Sequence, residues 1–588
     1  MTGATTTRSS TVSLSRRTLT ALTAAVLAAL MLVAPLGSAT SATSAASAAA
    51  HATRTATAAV DSALQGITDG VVKIVVQKHA AAAAGDDAEQ AVIRLGGRVT
   101  HDLPIVDGFA ATVPADAVDS LATEPSVRAI SLDRKMTVQA SGSSGASTVR
   151  SVYRWSVRAE PTNWAGYSGH GITVALIDTG VSSVPDLAGR ILPVTDDMTG
   201  TVAACQNMTN ESHCDDSYGH GTFVAGIIAG NGAASNGAHK GVAPQANILS
   251  VKIAGRSGAA DVSSVLAAIQ WVVNFKDRYG IKVLNLSLGT NSTQSYRVDP
   301  LNYAVEKAWF AGITVVVSAS NRGPDPRTIS KPGDDPFVIT VGAVDDRGTY
   351  GVSDDSLPNF SSKGPTAADE IAKPDVTAPG AHVVSLRAPG SAVDEQFPNY
   401  IDGSYRKGSG TSFSSGVVSG AAALVAQANP LATPDRIKFA LTSTARRVAS
   451  NDPMAVGAGE IDVYNAARNA PPGLANQGVE PSNGTGTIDA SRGTVHVAAD
   501  DPMQTVVSGS LTLQLLLYNP LVYLAGGQWY GGQWYGGQWY GGQWYGGQWY
   551  GGQWYGGQWY GGQWYGELDG GQWYGGQWYG SAWYGSWE

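Results

Sequence analysis

Four short runs of the sequence carry residue types that can do nucleophilic chemistry. Ala175-Leu176-Ile177-Asp178-Thr179-Gly180 puts a carboxylate at the end of a continuous apolar run, Thr173 to Ile177, the pattern of a parallel strand buried on both faces. Open α/β sheets place their working groups at such strand ends. Gly219-His220-Gly221-Thr222 opens a predicted helix to about Ala229, so the imidazole lies in its first turn. Ser320-Asn321-Arg322-Gly323 follows a predicted strand, Ile313 to Val317. Gly410-Thr411-Ser412 opens a predicted helix, Phe413 to Gln427, which puts a hydroxyl at a helix N-terminus. A serine hydroxyl is a poor nucleophile at neutral pH and needs a base such as imidazole to take its proton. Each run alone has a plainer reading: Asp178 and Asn321 as turn residues, Ser412 as an N-cap. Asp216 is a rival carboxylate close to His220 but lacks the strand-end setting. The weight lies in the four runs together, each at a strand or helix end.

The elements that must position them alternate between strand and helix from about Tyr153 to Ala467, an α/β layer architecture. Asp261 is placed to cap a helix with Val262, Val265, Leu266, Ile269, Val272 and Val273 along one side and Gly280 at its end. Ile281 to Leu288 reads as a further buried strand. Upstream, residues 71–138 read as β-α-β-β-α-β, the ferredoxin-like order. Ala140 to Ser147 is Ser/Gly-rich, and residues 139–150 read as an exposed connection. Residues 471–505, rich in Pro, Gly, Asn and Asp, read as a linker between the domain at 151–470 and the C-terminal region at 506–588.

At this point the chain resembles a subtilase, a subtilisin-like serine protease with an inhibitor-type propeptide. The order Asp, His, Asn, Ser is the subtilisin order. Further matching blocks are Gly241-Val242-Ala243-Pro244, Asn285-Leu286-Ser287-Leu288-Gly289, Val341-Gly342-Ala343-Val344-Asp345 and Lys373-Pro374-Asp375-Val376-Thr377-Ala378-Pro379-Gly380. The resemblance covers about residues 150–470, and residues 71–138 resemble the family's inhibitory propeptide. It implies a serine endopeptidase with Asp178, His220 and Ser412 as triad and Asn321 as oxyanion donor. It also implies that Gly258, Ala259 and Ala260, with Ser287, Leu288 and Gly289, bind an extended polypeptide substrate, after a maturation cut between about Val138 and Arg150. No cofactor is implied for catalysis. Structural calcium occurs in the family, but the corresponding loop, Asn231 to Lys240, has no Asp or Glu, and no metal ligand is assigned. The chain departs from the family at Phe223 (commonly His), at Ser320 (commonly Gly), and at Phe413, Ser414 and Gly416 (often Met, Ala and Pro). These departures leave the pocket shape, and hence the residue preferred before the cut, open.

The rest of the 588 residues sets compartment and partners. Charged residues are 14% of the chain and the net charge is −9, without the basic face of a nucleic-acid binder. Arg8, Arg16 and Arg17 precede an apolar stretch from Leu19 to about Leu36, then small residues to Ser41. Residues 1–41 read as a signal peptide, with a membrane anchor as the competing reading and the general secretory or twin-arginine route left open. The expected location is extracellular or cell-surface. Residues 42–70 form an Ala/Ser/Thr-rich linker. Given export, Cys205 and Cys214, the only cysteines, are expected to pair in a disulfide. From Gly526 to Tyr565 the unit Gly-Gly-Gln-Trp-Tyr repeats unbroken. Self-association, glycan binding and a small repetitive β module all fit it. A second function class therefore stands beside the first: a non-catalytic surface or cell-wall binding protein on a subtilase scaffold.

Overall fold

The computed structural model describes residues 58–138 and 151–493, apart from 65, 66, 84, 134, 197–199, 399, 402 and 451, together with strand segments between 528 and 587. The expected signal peptide, most of the Ala/Ser/Thr tract, the connection at 139–150 and residues 494–527 lie outside the described residues.

Between residues 71 and 132, four strands and two helices follow one another: β1 (Val71–Lys78), α1 (Asp87–Arg94), β2 (Arg98–Leu103), β3 (Gly108–Pro114), α2 (Val118–Leu121) and β4 (Val127–Leu132). The antiparallel order is β4-β1-β3-β2, with Ala59–Val60 added in parallel to β4. Alternation along β1 gives the sheet two buried faces. Ile74 and Val76 join the unit's own core with Ala91, Val92 and Leu121. Val75 joins Leu103, Ile105, Val106 and Ala110 in the large core of the following domain.

That domain is built on a seven-stranded sheet in which every pairing is parallel. Gln206–Asn207 forms one edge, followed by β7 (Asn247–Lys252), β6 (Thr173–Asp178), β9 (Ile281–Leu286), β11 (Thr314–Ser318), β12 (Ile339–Val344) and β13 (Val376–Pro379). The chain leaves β6 for β7 on one side and returns to β9 on the other, so Asp178 ends the strand at the switch in strand order. Such a crevice between diverging connections is where open α/β sheets bind ligands. Helices α3 (His220–Ala229) and α6 (Thr411–Ala428) are buried almost throughout, consistent with their Gly, Ala, Ser and Val content.

Helix α4 (Val262–Tyr279) ends at Gly280, with φ 62°. Its cap is not the one expected: the Asp261 side chain makes no capping bond and lies 3.7 Å from Lys73. Asp133, just past β4, accepts from Ser263 N at 3.1 Å and from Ser263 Oγ. Residues 471–493, read above as linker, bond along α5 (Pro300–Phe310) and the turn before it. Ser482 N donates to the Glu306 carboxylate at 2.8 Å, Gly486 N donates to the Val298 carbonyl at 2.6 Å, and Ile488 is buried. In the repeats, three-residue Gln-Trp-Tyr strands pair in parallel and in register, Gln528 with Gln543 and Gln543 with Gln558, three repeats apart each time.

Beyond β11 the backbone turns through Ser320, a buried non-glycine residue at φ 100°. A side chain there costs about 1–3 kcal/mol of strain, against about 0.5–1 kcal/mol of extra chain entropy lost by glycine. The Ser320 hydroxyl offsets little, accepting one long bond from Arg322 Nε at 3.4 Å. Ser320→Gly should therefore stabilise the fold by about 1 kcal/mol. Calorimetry checks this, and a lowered unfolding midpoint would mean that the hydroxyl outweighs the strain.

Candidate active site

Asp178 and His220 meet because β6 ends where α3 begins. His220 Nδ1 lies 2.8 Å from Asp178 Oδ1 and 3.0 Å from Oδ2, with both side chains buried. Two glycines permit this approach. Gly219 has φ 112°, and a Cβ on Gly221 would lie 2.1 Å from the Gly180 carbonyl oxygen. The Asp178 carboxylate also accepts from Thr179 N at 2.8 Å. Held there, it fixes Nδ1 as the protonated ring nitrogen and leaves Nε2 as the acceptor. Nε2 is buried and makes no hydrogen bond among the described residues.

The rival carboxylate has a different task. Asp216 accepts from Gly219 N at 2.7 Å, Thr222 N at 2.8 Å and Thr179 Oγ1 at 2.8 Å, so it ties down the start of α3. Burial pushes its carboxyl above the usual range, more than these hydrogen bonds lower it, and the charge of Asp178 adds to the rise.

Ser412 stands in the first turn of α6, with its Oγ 3.5 Å from the Ser287 carbonyl oxygen. The ring of Phe413 lies 5.8 Å from that of His220. Asn321 is brought to the same helix end: its Oδ1 accepts from Thr411 N and Thr411 Oγ1, both at 2.8 Å. With the oxygen so engaged, the amide NH₂ is turned away from Thr411. The orienting part of Thr411 was not foreseen, although it adjoins the serine in the Gly-Thr-Ser run. Two departures from the family pattern prove to be neighbours, since the Phe223 and Phe413 rings pack with centroids 4.4 Å apart.

The six candidate substrate-binding residues flank one slot. Ala259–Asp261 (β8) and Leu288–Gly289 (β10) both pair antiparallel with β5 (Lys135–Val138), which runs between them. Thr137 stands opposite Ala259 and Gly289, Met136 opposite Ala260, and Val138 opposite Leu288. Gly258 and Ser287 immediately precede the two edge strands. Each edge thus offers main-chain groups to an extended peptide.

Cys205 and Cys214 are joined in a disulfide with Cα atoms 5.6 Å apart. The loop Asn231–Lys240 does not suit a hard cation: it has no carboxylate, and the nearby Asp186 is taken up by Ala234 N and the Tyr405 hydroxyl. Among the described residues no group of three or more His, Cys, Asp and Glu side chains could hold a metal. None of the described helices is long and apolar enough to cross a membrane.

Comparison with known proteins places this geometry. The subtilase family model matches residues 169–483. Serine protease AprX of Bacillus subtilis (strain 168) is 36% identical over 363 residues, 60% of this chain and 78% of that one. Subtilisin DY of Bacillus licheniformis is 32% identical over 316 residues, 53% of this chain and 96% of that one. Among solved structures, fervidolysin from Fervidobacterium pennivorans, a keratinolytic enzyme related to subtilisin, superposes with a TM-score of 0.54 at 24% identity. That match spans 72% of this chain and 64%, just under two thirds, of fervidolysin, and shows likeness of fold. With its parallel sheet and the family match over more than half its length, the chain belongs to the subtilase family of serine proteases.

Proposed function

We propose that the protein is a secreted serine endopeptidase, made as a latent precursor, with Asp178, His220 and Ser412 as its triad. The observation that carries this reading is the buried Asp178–His220 contact beside the helix that bears Ser412. His220 Nε2 takes the Ser412 proton as Oγ attacks the scissile carbonyl carbon, and then gives that proton to the leaving amine as the acyl-enzyme forms. Water repeats the cycle in reverse and frees the acid. Asp178 holds the ring and stabilises the imidazolium. The Asn321 amide and the Ser412 N–H donate to the oxyanion.

Residues 71–138 act as the intramolecular inhibitor in this reading. The support is β5, which takes the main-chain partners a substrate would need at Gly258–Ala260 and Ser287–Gly289. Val138 pairs with Leu288, and Ser287, one residue back, has its carbonyl beside Ser412 Oγ. We therefore infer that the maturation cut follows Gln139. Secretion rests on the sequence of residues 1–41. The Gln-Trp-Tyr strands pair in register three repeats apart, Trp529 with Trp544 and Trp534 with Trp549, at the usual strand spacing of about 4.8 Å. Repeated Trp and Tyr suit sugar faces or a second copy as tail ligand, localising the protease rather than replacing its chemistry.

The direct test is intact mass of the secreted protein beside its Ser412→Ala variant, with casein turnover followed in both. Wild type should begin at Ala140 and digest casein, while the variant keeps its N-terminal unit and is inert. Equal masses with no turnover in either would overturn the endopeptidase reading, and equal turnover would remove Ser412 from the mechanism; a different first residue would remove only the register argument. Asn321→Ala should lower kcat about 10²–10³-fold with little change in KM, the size of loss measured for this donor in subtilisin. A loss confined to KM would assign Asn321 to substrate binding instead.

A further inference from the structure

The segment after the protease domain touches the N-terminal unit as well as α5. Arg128, on β4, donates from Nη1 to the Thr485 carbonyl at 2.5 Å and from Nη2 to the Gly484 carbonyl at 3.1 Å. Helix α7 (Ile488–Arg492) packs against both α5 and β4. Its strap is anchored independently of this contact. The Glu306 carboxylate holds Ser482 N, Tyr296 Oη donates to the Glu480 carbonyl at 3.0 Å, and Thr290 Oγ1 donates to the Ser491 carbonyl at 2.5 Å. Gly484 has φ 63°, and a Cβ there would lie 2.8 Å from the Tyr303 ring, so the strap backbone is pinned where Arg128 meets it. Two adjacent carbonyls aimed at one guanidinium form a preorganised acceptor pair, which a planar fork uses better than an ammonium does.

We propose that residues 482–493 are a second docking surface for the N-terminal unit, distinct from the substrate slot, which retains that unit on the protease after the 139–150 connection is cut. The proposal rests on the reading of residues 71–138 as inhibitor for its consequence, prolonged latency, but not for the contact itself. The slot is engaged by β5 at the end of the unit, and β2 and Pro104–Val106 pack on α4 and α5; the strap engages β4, and a fragment held there as well releases more slowly than one held by the other contacts alone.

The experiment uses the full chain in the Ser412→Ala background, with a site-specific protease sequence replacing residues 141–147, so that cutting does not depend on self-processing. Release of the N-terminal fragment is followed by size exclusion after the added protease acts. Arg128→Ala and Arg128→Met, the second keeping the aliphatic stem, should each release it about tenfold faster, the effect of losing two charge-assisted hydrogen bonds at a half-exposed site. Arg128→Lys should restore only part of the retention. Equal unfolding midpoints of the uncut chains show that the variants fold. Release rates within about twofold of the parent in both neutral variants would overturn the proposal, as would immediate release of the fragment from the parent itself. A counterpart retaining Ser412 separates the two readings: casein cleavage while the fragment is still bound would refute inhibition by residues 71–138 and leave the docking surface standing.

Discussion

The constraint on which the site depends is the burial of a carboxylate against an imidazole. Asp178 and His220 are out of solvent, and an uncompensated charge there would be costly. The fold resolves this by geometry rather than by surrounding charge. Asp178 sits where a parallel strand stops, Thr179 turns its amide back onto the carboxylate, and the first turn of α3 delivers the ring. Asp216 sustains the arrangement from behind, since without it the amides of Gly219 and Thr222 and the hydroxyl of Thr179 would lose their acceptor. Two carboxylates lie close to one histidine, and they are told apart by what they accept from: one from the ring, one from the backbone that carries the ring.

The edge strands apply the same economy to recognition. β8 and β10 offer backbone groups, so whatever lies between them is held by main-chain pairing largely independent of its side chains. β5 lies there in this chain, in the register an extended peptide would use. In the proposed reading, inhibitor and substrate then compete for one set of donors and acceptors. A peptide held only there would exchange freely; the rest of the N-terminal unit adds the buried face of Val75, Leu103, Ile105, Val106 and Ala110 and the Asp133 cap on α4.

What was legible in the sequence was local. Thr173–Ile177 announced a buried strand by unbroken apolarity, and Gly219-His220-Gly221 announced a tight helix start by glycines that the backbone requires. The Asp133 cap was not legible, because Asp261 stands immediately before the helix and has the right chemistry. Only the folded chain shows that Asp261 faces Lys73 while a carboxylate 130 residues upstream takes the amide. Residues 471–493 misled for a related reason. Their Pro, Gly and Asn content is that of a linker, yet the same residues let a chain follow a surface closely, and the Glu306 carboxylate that anchors them lies far away in sequence.

The departures from the family pattern make sense only together. Phe223 in place of histidine removes a polar ring from the interior of α3, and Phe413 beside Ser412 adds an aromatic one at the start of α6. In the fold they meet at 4.4 Å between centroids, with Phe413 also 5.8 Å from His220. A polar ring at position 223 would set a buried polar group against the apolar ring of Phe413. An aromatic ring satisfies that site by packing, and its partner is the residue that follows the serine. The pair thus joins the two helices that carry His220 and Ser412, and a change at either position is felt by both.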